Sequence, residues 1–109
     1  MVSAYKQYIT ERTNKEMIES DKGFIVYSIT PNAIYVEDVW VAPAHRRNGV
    51  ASKFGKMIEE IALERGLHIM LSSVDPRAKN ATESLKFILE YGCKLDSCTE
   101  NFILLKKEI

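Results

Sequence analysis

The sequence has little cysteine, no excess of charge of either sign, and no long hydrophobic run. Cys93 and Cys98 are too few for a disulfide framework, and no further cysteine or histidine lies at zinc-ligand spacing from them. Fifteen basic side chains balance fifteen acidic ones, which argues against nucleic acid or an anionic membrane as a partner. No apolar stretch is long enough to span a membrane, and the first residues lack a signal-peptide core. We therefore expect one domain, residues 1–109, in the cytoplasm and without a metal site.

Two common phosphate-binding fingerprints are also missing. The sequence contains no G-x-x-x-x-G-K-[ST] loop and no G-x-G-x-x-G loop, so neither of those nucleotide sites is predicted. Residues 34–66 instead read as a strand, a basic turn and a helix. The apolar strand Ile34–Val41 carries two carboxylates, Glu37 and Asp38, and the turn after it contains Gly49. This stretch is the best candidate for a binding site.

The helix after the turn has its apolar residues on one face, as in a helix that packs on a sheet. These residues are Val50, Phe54, Met57, Ile58 and Ile61. The free backbone N–H groups at the start of such a helix attract anions, and Arg46 and Arg47 add positive charge beside them. Gly49 allows a ligand to approach the backbone closely. The pattern predicts a phosphate-binding turn, with a solvated basic loop as the alternative interpretation.

The order of the remaining elements indicates a mixed α/β domain. The predicted elements are a helix or a strand (Tyr5–Thr10) within residues 1–14, strands over Glu16–Ser20, Gly23–Thr30 and Leu67–Val74, a helix from near Asn80 to Gly92, and a hairpin of Cys93–Cys98 with Phe102–Lys107. The first strands and Ile34–Val41 would form an antiparallel meander. A strand–helix–strand crossover would then place Leu67–Val74 parallel to the central strand and beside it.

The sequence of the turn resembles that of a known acyl-CoA-binding loop. The string Arg46-Arg47-Asn48-Gly49-Val50-Ala51 follows a V-x-V-x-P strand end and matches [RQ]-x-x-G-x-[GA]. It resembles the acetyl-CoA pyrophosphate loop of the GNAT (general control N-acetyltransferase-related) acyltransferase superfamily. The central strand, Y-V-E-D-V-W-V, is similar to that of the spermidine/spermine and glucosamine-6-phosphate acetyltransferase branches. The predicted order also resembles the GNAT fold from its second strand onward. Residues 1–14 would then be a shortened N-terminal element, and a homodimer is expected to cover the part of the sheet left bare.

The resemblance implies acetyl-CoA as the co-substrate, with no metal. It assigns the backbone of Val39 and Val41 to the pantetheine arm. The backbone N–H groups of six residues would bind the pyrophosphate: Arg46, Arg47, Asn48, Gly49, Val50 and Ala51. Asn80 matches a position that contacts the cofactor in this family, although a helix cap explains it equally well.

The two carboxylates of the central strand are the candidates for acceptor chemistry. Glu37 lies where the family places a general base, which would act through a water molecule. Asp38 would point to the opposite side of a regular strand, but a β-bulge could bring both carboxylates to the cleft. There they would favour a cationic amine, so Asp38 is the candidate substrate-binding residue. An ion pair with a neighbouring lysine or arginine is the alternative role for either side chain.

The later helix departs from the family pattern. Residues 84–93 resemble the segment S-x-x-[FL]-Y-x-x-x-G, in which the tyrosine protonates the leaving thiolate, but Ile88 occupies the tyrosine position. Tyr91 lies about one helical turn farther along, and Cys93 and His45 are other conceivable proton donors.

The function predicted from these observations is an N-acetyltransferase. It would transfer the acetyl group of acetyl-CoA to a primary amine, on a small molecule or a protein, by direct attack in a ternary complex. The alternative is a non-catalytic GNAT-fold binding or structural module, which Ile88 favours. A third interpretation is a small adaptor whose arginine turn binds a phosphate on another molecule.

Overall fold

The computed structural model describes residues 2–109 and contains three α-helices and six β-strands. The helices are α1 (Ala4–Arg12), α2 (Val50–Glu64) and α3 (Ala81–Tyr91). The strands are β1 (Glu16–Ser20), β2 (Gly23–Ile29), β3 (Ile34–Val41), β4 (Ile69–Val74), β5 (Lys94–Thr99) and β6 (Phe102–Glu108). A short 3-10 turn, Pro43–His45, lies between β3 and α2. Within the described residues, no helix has the length and apolarity to cross a membrane.

All six strands form one sheet in the order β1-β2-β3-β4-β6-β5. β1, β2 and β3 are antiparallel neighbours, β3 and β4 are parallel, and β6 is antiparallel to both β4 and β5. α2 connects the two parallel strands, because a parallel pair needs a crossover. The predicted mixed sheet, with its meander, crossover and C-terminal hairpin, is confirmed.

α2 and α3 pack on the same face of the sheet. Ile58 of α2 is buried with Ile34 of β3 and Met70 of β4, whereas Val74 and Leu105 form a second buried cluster beneath α3. Buried positions alternate along β4, so Met70 and Val74 face the same side. Each large aliphatic side chain buried in this way contributes about 1.5–3 kcal/mol to the free energy of unfolding.

α1 covers part of the opposite face. The ring of Tyr5 lies 5.4 Å from that of Phe24 on β2, and Phe24 stacks on Trp40 of β3 at 5.9 Å between ring centroids. Ser3 caps α1 by accepting a hydrogen bond from the Lys6 N–H, and the Ser3 hydroxyl donates to Glu19 on β1. Of the two predictions made for residues 5–10, the helix is therefore correct.

Candidate functional site

β3 and β4 pair over only three residues and then separate. Residues 34–36 of β3 are in register with residues 70–72 of β4. Beyond this point β3 continues to Val41 with β2 on one side, while β4 stays paired with β6. No strand of residues 2–109 pairs with the β4-facing edge of residues 37–41. Val39 lies on this edge, whose backbone groups can bind an extended ligand as an added strand.

A β-bulge in β3 places Glu37 and Asp38 on the same face. Consecutive residues of β2 lie opposite Asp38 and Val36, so the pairing skips Glu37. Val36 and Val39 both belong to the core on the α2 side although they are three residues apart. The two carboxylates between them therefore point to the opposite face, and both are exposed. The sequence allows for a bulge that would bring the two carboxylates to one side, and β3 has this bulge.

Glu37 has two polar neighbours on this face. The Ser28 hydroxyl donates to its carboxylate at 2.9 Å, and the Lys15 ammonium lies 3.7 Å from the other carboxylate oxygen. The ion pair considered as an alternative role is thus present for Glu37. Asp38 forms no ion pair with any residue of the range 2–109. Glu37 keeps 28% of its side chain exposed, so water reaches it.

The turn between β3 and α2 contains two left-handed residues. Arg47 has φ 65° and Gly49 has φ 77°, and Arg47 is the one non-glycine residue with positive φ between positions 2 and 109. This conformation costs a non-glycine residue about 1–2 kcal/mol and is typical of turns whose N–H groups converge on an anion. A Cβ built on Gly49 would meet no atom within 4 Å. The space beside its backbone is therefore open to a ligand.

α2 begins at Val50 without a side-chain cap. The Lys53 N–H makes a hydrogen bond to the Gly49 carbonyl, whereas the N–H groups of Val50, Ala51 and Ser52 have no partner within the helix. These donors stand at the positive end of the helix dipole. The start of α2 can therefore bind a pyrophosphate.

Arg46 fastens the turn to the end of β3. Its Nε donates to the Val41 carbonyl at 2.9 Å, so that carbonyl is already engaged, whereas Arg47 and Asn48 are exposed. The strand edge, the turn and the first turn of α2 are thus continuous. The structure brings together the predicted cofactor residues from Val39 to Ala51.

Asn80 is the N-cap residue of α3, but its side chain makes no capping hydrogen bond. The side chain is exposed and remains available to a ligand. α3 follows β4, whose end faces the same opening as the end of β3, because parallel strands end at the same edge of a sheet. Asn80 thus occupies the cap position without the side-chain hydrogen bond of a cap, and its predicted contact with the cofactor stays a prediction.

Neither Ile88, at the usual tyrosine position, nor Tyr91 of α3 can donate a proton in the cleft. Ile88 packs in the cluster beneath α3 with Val74 and Leu105. The Tyr91 hydroxyl donates to the Glu59 carboxylate of α2 instead. Partial burial, together with this hydrogen bond to Glu59, raises the pKa of Tyr91 well above its ordinary value.

Cys93 and His45 are the two other proton donors that the sequence suggests. Cys93 is buried, and burial raises the pKa of its thiol. His45 lies in the 3-10 turn, where it is partly exposed. Of the donors that the sequence singled out, Tyr91 and Cys93 are therefore not available for the acid step.

A pair of hydroxyl groups bridges β3 and β4 where the strands separate. The Tyr35 phenol donates to the Ser73 hydroxyl at 2.5 Å. Tyr35 lies in the paired segment of β3, and Ser73 is the first residue of β4 beyond its own paired segment. Sequence reasoning did not identify this pair. The sequence cannot show the pair, because the partner of Tyr35 depends on the register of two distant strands. The one local signal is that Tyr35 precedes Glu37 by two residues and so lies near the candidate base.

Comparison with protein families gives a match over most of this region. A family model described as "Acetyltransferase (GNAT) family" matches residues 13–87, more than half of the chain. Thialysine N-epsilon-acetyltransferase of Sus scrofa is 42% identical over 43 residues, and that of Mus musculus is 32% identical over 65 residues. These alignments cover 39% and 60% of this chain and 25% and 38% of the two enzymes. The chain thus spans well under half the length of the curated relatives it matches.

Solved structures share the fold over nearly the whole chain. PaiA N-acetyltransferase from Thermoplasma acidophilum, in complex with coenzyme A, has a TM-score of 0.77 at 14% identity, covering 94% of this chain and 66% of that one. A GNAT family acetyltransferase from Elizabethkingia anophelis, with acetyl-CoA bound, has a TM-score of 0.73 at 15% identity, covering 96% of this chain and 81% of that one. At these identities the likeness shows a common fold.

Proposed function

The chain belongs to the acetyltransferase (GNAT) family, and from this we propose that it binds acetyl-CoA and acetylates a primary amine by direct attack in a ternary complex. The observation that carries the proposal is the separation of β3 from β4 after Val36, on the strand that leads into the anion-binding turn. The unpaired strand edge and the anion-binding turn lie side by side, so together they suit one extended ligand that carries a phosphate group. Two of the structural relatives contain coenzyme A or acetyl-CoA.

The residues present fit acetyl-CoA. The N–H groups at the start of α2 and the exposed Arg47 would hold the pyrophosphate, beside the open space at Gly49. The pantetheine arm would add to the unpaired edge of β3 along Val39 and Val41, where the Val41 carbonyl already accepts a hydrogen bond from Arg46. Asn80, with its uncommitted side chain, would contact the cofactor from the start of α3.

The acceptor would approach from the face opposite α2. When bound, acetyl-CoA supplies an activated acetyl group, and Glu37 would take the proton of the amine through a water molecule. Ser28 and Lys15 hold the Glu37 carboxylate in place. Asp38 and Trp40 are two residues apart on this same face, and both are exposed. A carboxylate beside an aromatic ring favours a cationic amine.

Acetyl transfer is tested by following release of the CoA thiol with a panel of amines. The panel contains a polyamine, an amino sugar, lysine, thialysine and a lysine-containing peptide, so that small-molecule and protein acceptors are both represented. We expect turnover with at least one cationic amine, and a lower rate in Asp38→Asn at subsaturating amine. Asp21→Asn, which removes an exposed carboxylate in the β1–β2 turn, is the matched control.

Binding of acetyl-CoA without turnover of any amine would favour the alternative, a non-catalytic GNAT-fold binding module. The homodimer and the cytoplasmic location remain predictions from the sequence. Light scattering at several protein concentrations tests the first, and imaging of the tagged protein in cells tests the second.

A further inference from the structure

We propose that the Tyr35–Ser73 hydroxyl pair delivers the proton to the departing CoA sulfur, with Ser73 as the catalytic donor and Tyr35 as the residue that positions and recharges it. The inference rests on the proposed acetyl transfer. It assigns the acid step to two side chains at the separation of β3 and β4, because Ile88 cannot donate a proton and Tyr91 is bound to Glu59.

The pair lies where the reacting end of the donor belongs. A ligand held by its phosphates beside Gly49 and extended back along β3 reaches β4 at the last paired residues, Val36 and Ser72. Ser73 follows directly on β4, is partly exposed, and has β6 as its strand neighbour. Its hydroxyl therefore borders the narrow end of the cleft, next to the position of the thioester.

The arrangement of the pair in which Tyr35 donates leaves Ser73 able to donate to a second acceptor. A serine hydroxyl has one donor site and two acceptor sites. Ser73 uses an acceptor site for the Tyr35 phenol, so its own proton is free for a second acceptor. Accepting this bond also polarises the Ser73 hydroxyl, since hydrogen bonds in a chain strengthen one another.

The proposed acid, Ser73, and the proposed base, Glu37, would be separate groups on the same face of the sheet. Glu37 follows Tyr35 by two residues on β3, and its own hydrogen-bond donor is Ser28, not the hydroxyl pair. The base that receives the amine proton and the acid that serves the sulfur thus have different partners. The attacking amine and the leaving sulfur would lie between them.

Every proton and electron pair of the proposed acetyl transfer has a donor and an acceptor in this arrangement. A bond forms between the amine nitrogen and the acyl carbon, and the amine gives up a proton toward Glu37 through water. As the carbon–sulfur bond breaks with its electron pair going to sulfur, Ser73 gives the sulfur its proton. Ser73 takes the phenol proton of Tyr35, and Tyr35 recovers one from solvent.

Kinetics of Ser73→Ala and Ser73→Thr provide the first test. We expect Ser73→Ala to lower kcat about 100-fold with little change in KM for acetyl-CoA, and Ser73→Thr, which keeps the hydroxyl, to recover most of the rate. Tyr35→Phe should lower kcat about 10-fold or more and change the pH dependence of kcat. Ser72→Ala and Tyr27→Phe are matched controls, because both side chains are buried on the α2 face.

Titration of the bound CoA thiol provides a readout that does not depend on turnover. The thiolate absorbs in the ultraviolet, so its pKa is measured directly in the complex with CoA. A hydroxyl that donates to sulfur stabilises the thiolate, and we expect the pKa of the bound thiol to rise in Ser73→Ala and not in Ser72→Ala.

The outcomes separate this inference from the proposed function. If the wild type acetylates an amine, and Ser73→Ala keeps full kcat and an unchanged thiol pKa, the role of the hydroxyl pair is overturned. The proposed function then still stands. A wild-type protein that binds CoA but acetylates no amine would overturn the proposed function, and this inference with it.

Discussion

The hydroxyl of Tyr91 donates a hydrogen bond to the carboxylate of Glu59 and so joins α3 to α2. Lys107 of β6 binds the same carboxylate at 3.0 Å. A Cβ on Gly55 of α2 would lie 2.7 Å from the Tyr91 ring, so the glycine allows the phenol to approach the helix. These contacts make Tyr91 part of the helix–helix interface, and they remove it from the cleft.

Tyr91→Phe should lower the stability of the fold and leave CoA binding unchanged. Loss of a hydrogen bond to a charged group costs about 1–3 kcal/mol, which corresponds to a fall in Tm of about 5–15 °C for a domain of this size. Denaturant unfolding and calorimetric titration with CoA measure the two effects. A large loss of CoA affinity in a folded variant would contradict this role.

The effect of Tyr91→Phe should also depend on pH. Partial burial acts to raise the pKa of Glu59, but hydrogen bonds from Tyr91 and Lys107 outweigh it and hold the pKa below its ordinary value. The stabilisation is therefore complete above the unfolded pKa and is lost as the pH falls through the folded pKa. The difference in unfolding free energy between wild type and Tyr91→Phe should be larger near neutral pH than at about pH 3.

Gly49→Ala should weaken CoA binding, whereas Gly66→Ala should not. Both glycines have positive φ, 77° and 72°, and a Cβ at either would meet no atom within 4 Å. Each substitution therefore costs a similar amount of stability, about 1 kcal/mol, because alanine is strained at positive φ. Only Gly49 adjoins the proposed phosphate site at the start of α2, and there we expect at least about a tenfold loss of affinity. Equal affinities of the two variants would refute the assignment of the turn.

Arg47→Gly should separate stability from binding. Glycine adopts φ 65° without strain, so we expect the free energy of unfolding to stay constant or rise by up to about 1 kcal/mol. CoA affinity should fall, and the loss should shrink as salt is added, because a charge–charge attraction is screened. Arg65→Ala, at the other end of α2, removes the same charge and should leave the affinity unchanged. A binding loss of the same size in both variants would indicate a nonspecific charge effect.

Glu37→Gln should lower kcat about 100-fold or more without a change in CoA affinity, because the amide cannot accept the amine proton. Lys15→Met removes the ion-pair partner at 3.7 Å and keeps the carboxylate, so it should retain most of the turnover. If Glu37→Gln turns over as fast as wild type, the ion pair with Lys15 is the whole role of Glu37.

Ile88→Tyr tests where the acid step resides. The side chain packs against the cluster of Val74 and Leu105, so a larger ring should cost about 1–3 kcal/mol of stability. Because Tyr35 and Ser73 are proposed to supply the proton, we expect no gain in kcat. A clear increase in the rate would show that the missing tyrosine limits the reaction and would contradict the role of Ser73.

Local patterns predicted most of the fold. The strand Ile34–Val41 has the predicted limits, and family membership is confirmed by the match to residues 13–87. The sequence predicts the bulge at Glu37 only conditionally, because the bulge depends on how β3 pairs with β2. The Tyr35–Ser73 and Tyr91–Glu59 contacts join residues 38 and 32 positions apart, and no local period reports such pairs. The predicted cofactor residues from Val39 to Ala51 lie along one continuous segment, and the roles of all the predicted site residues stay predictions.

Calorimetric titration with acetyl-CoA tests most directly the central claim that the opening between β3 and β4 and the turn at Gly49 form one acyl-CoA site. Free phosphate and CoA serve as comparison ligands. We predict binding of acetyl-CoA and CoA well below about 1 mM, much tighter than that of phosphate, and weakened by Gly49→Ala but not by Gly66→Ala. No binding of acetyl-CoA at about 1 mM, or binding no tighter than that of phosphate alone, would contradict the claim.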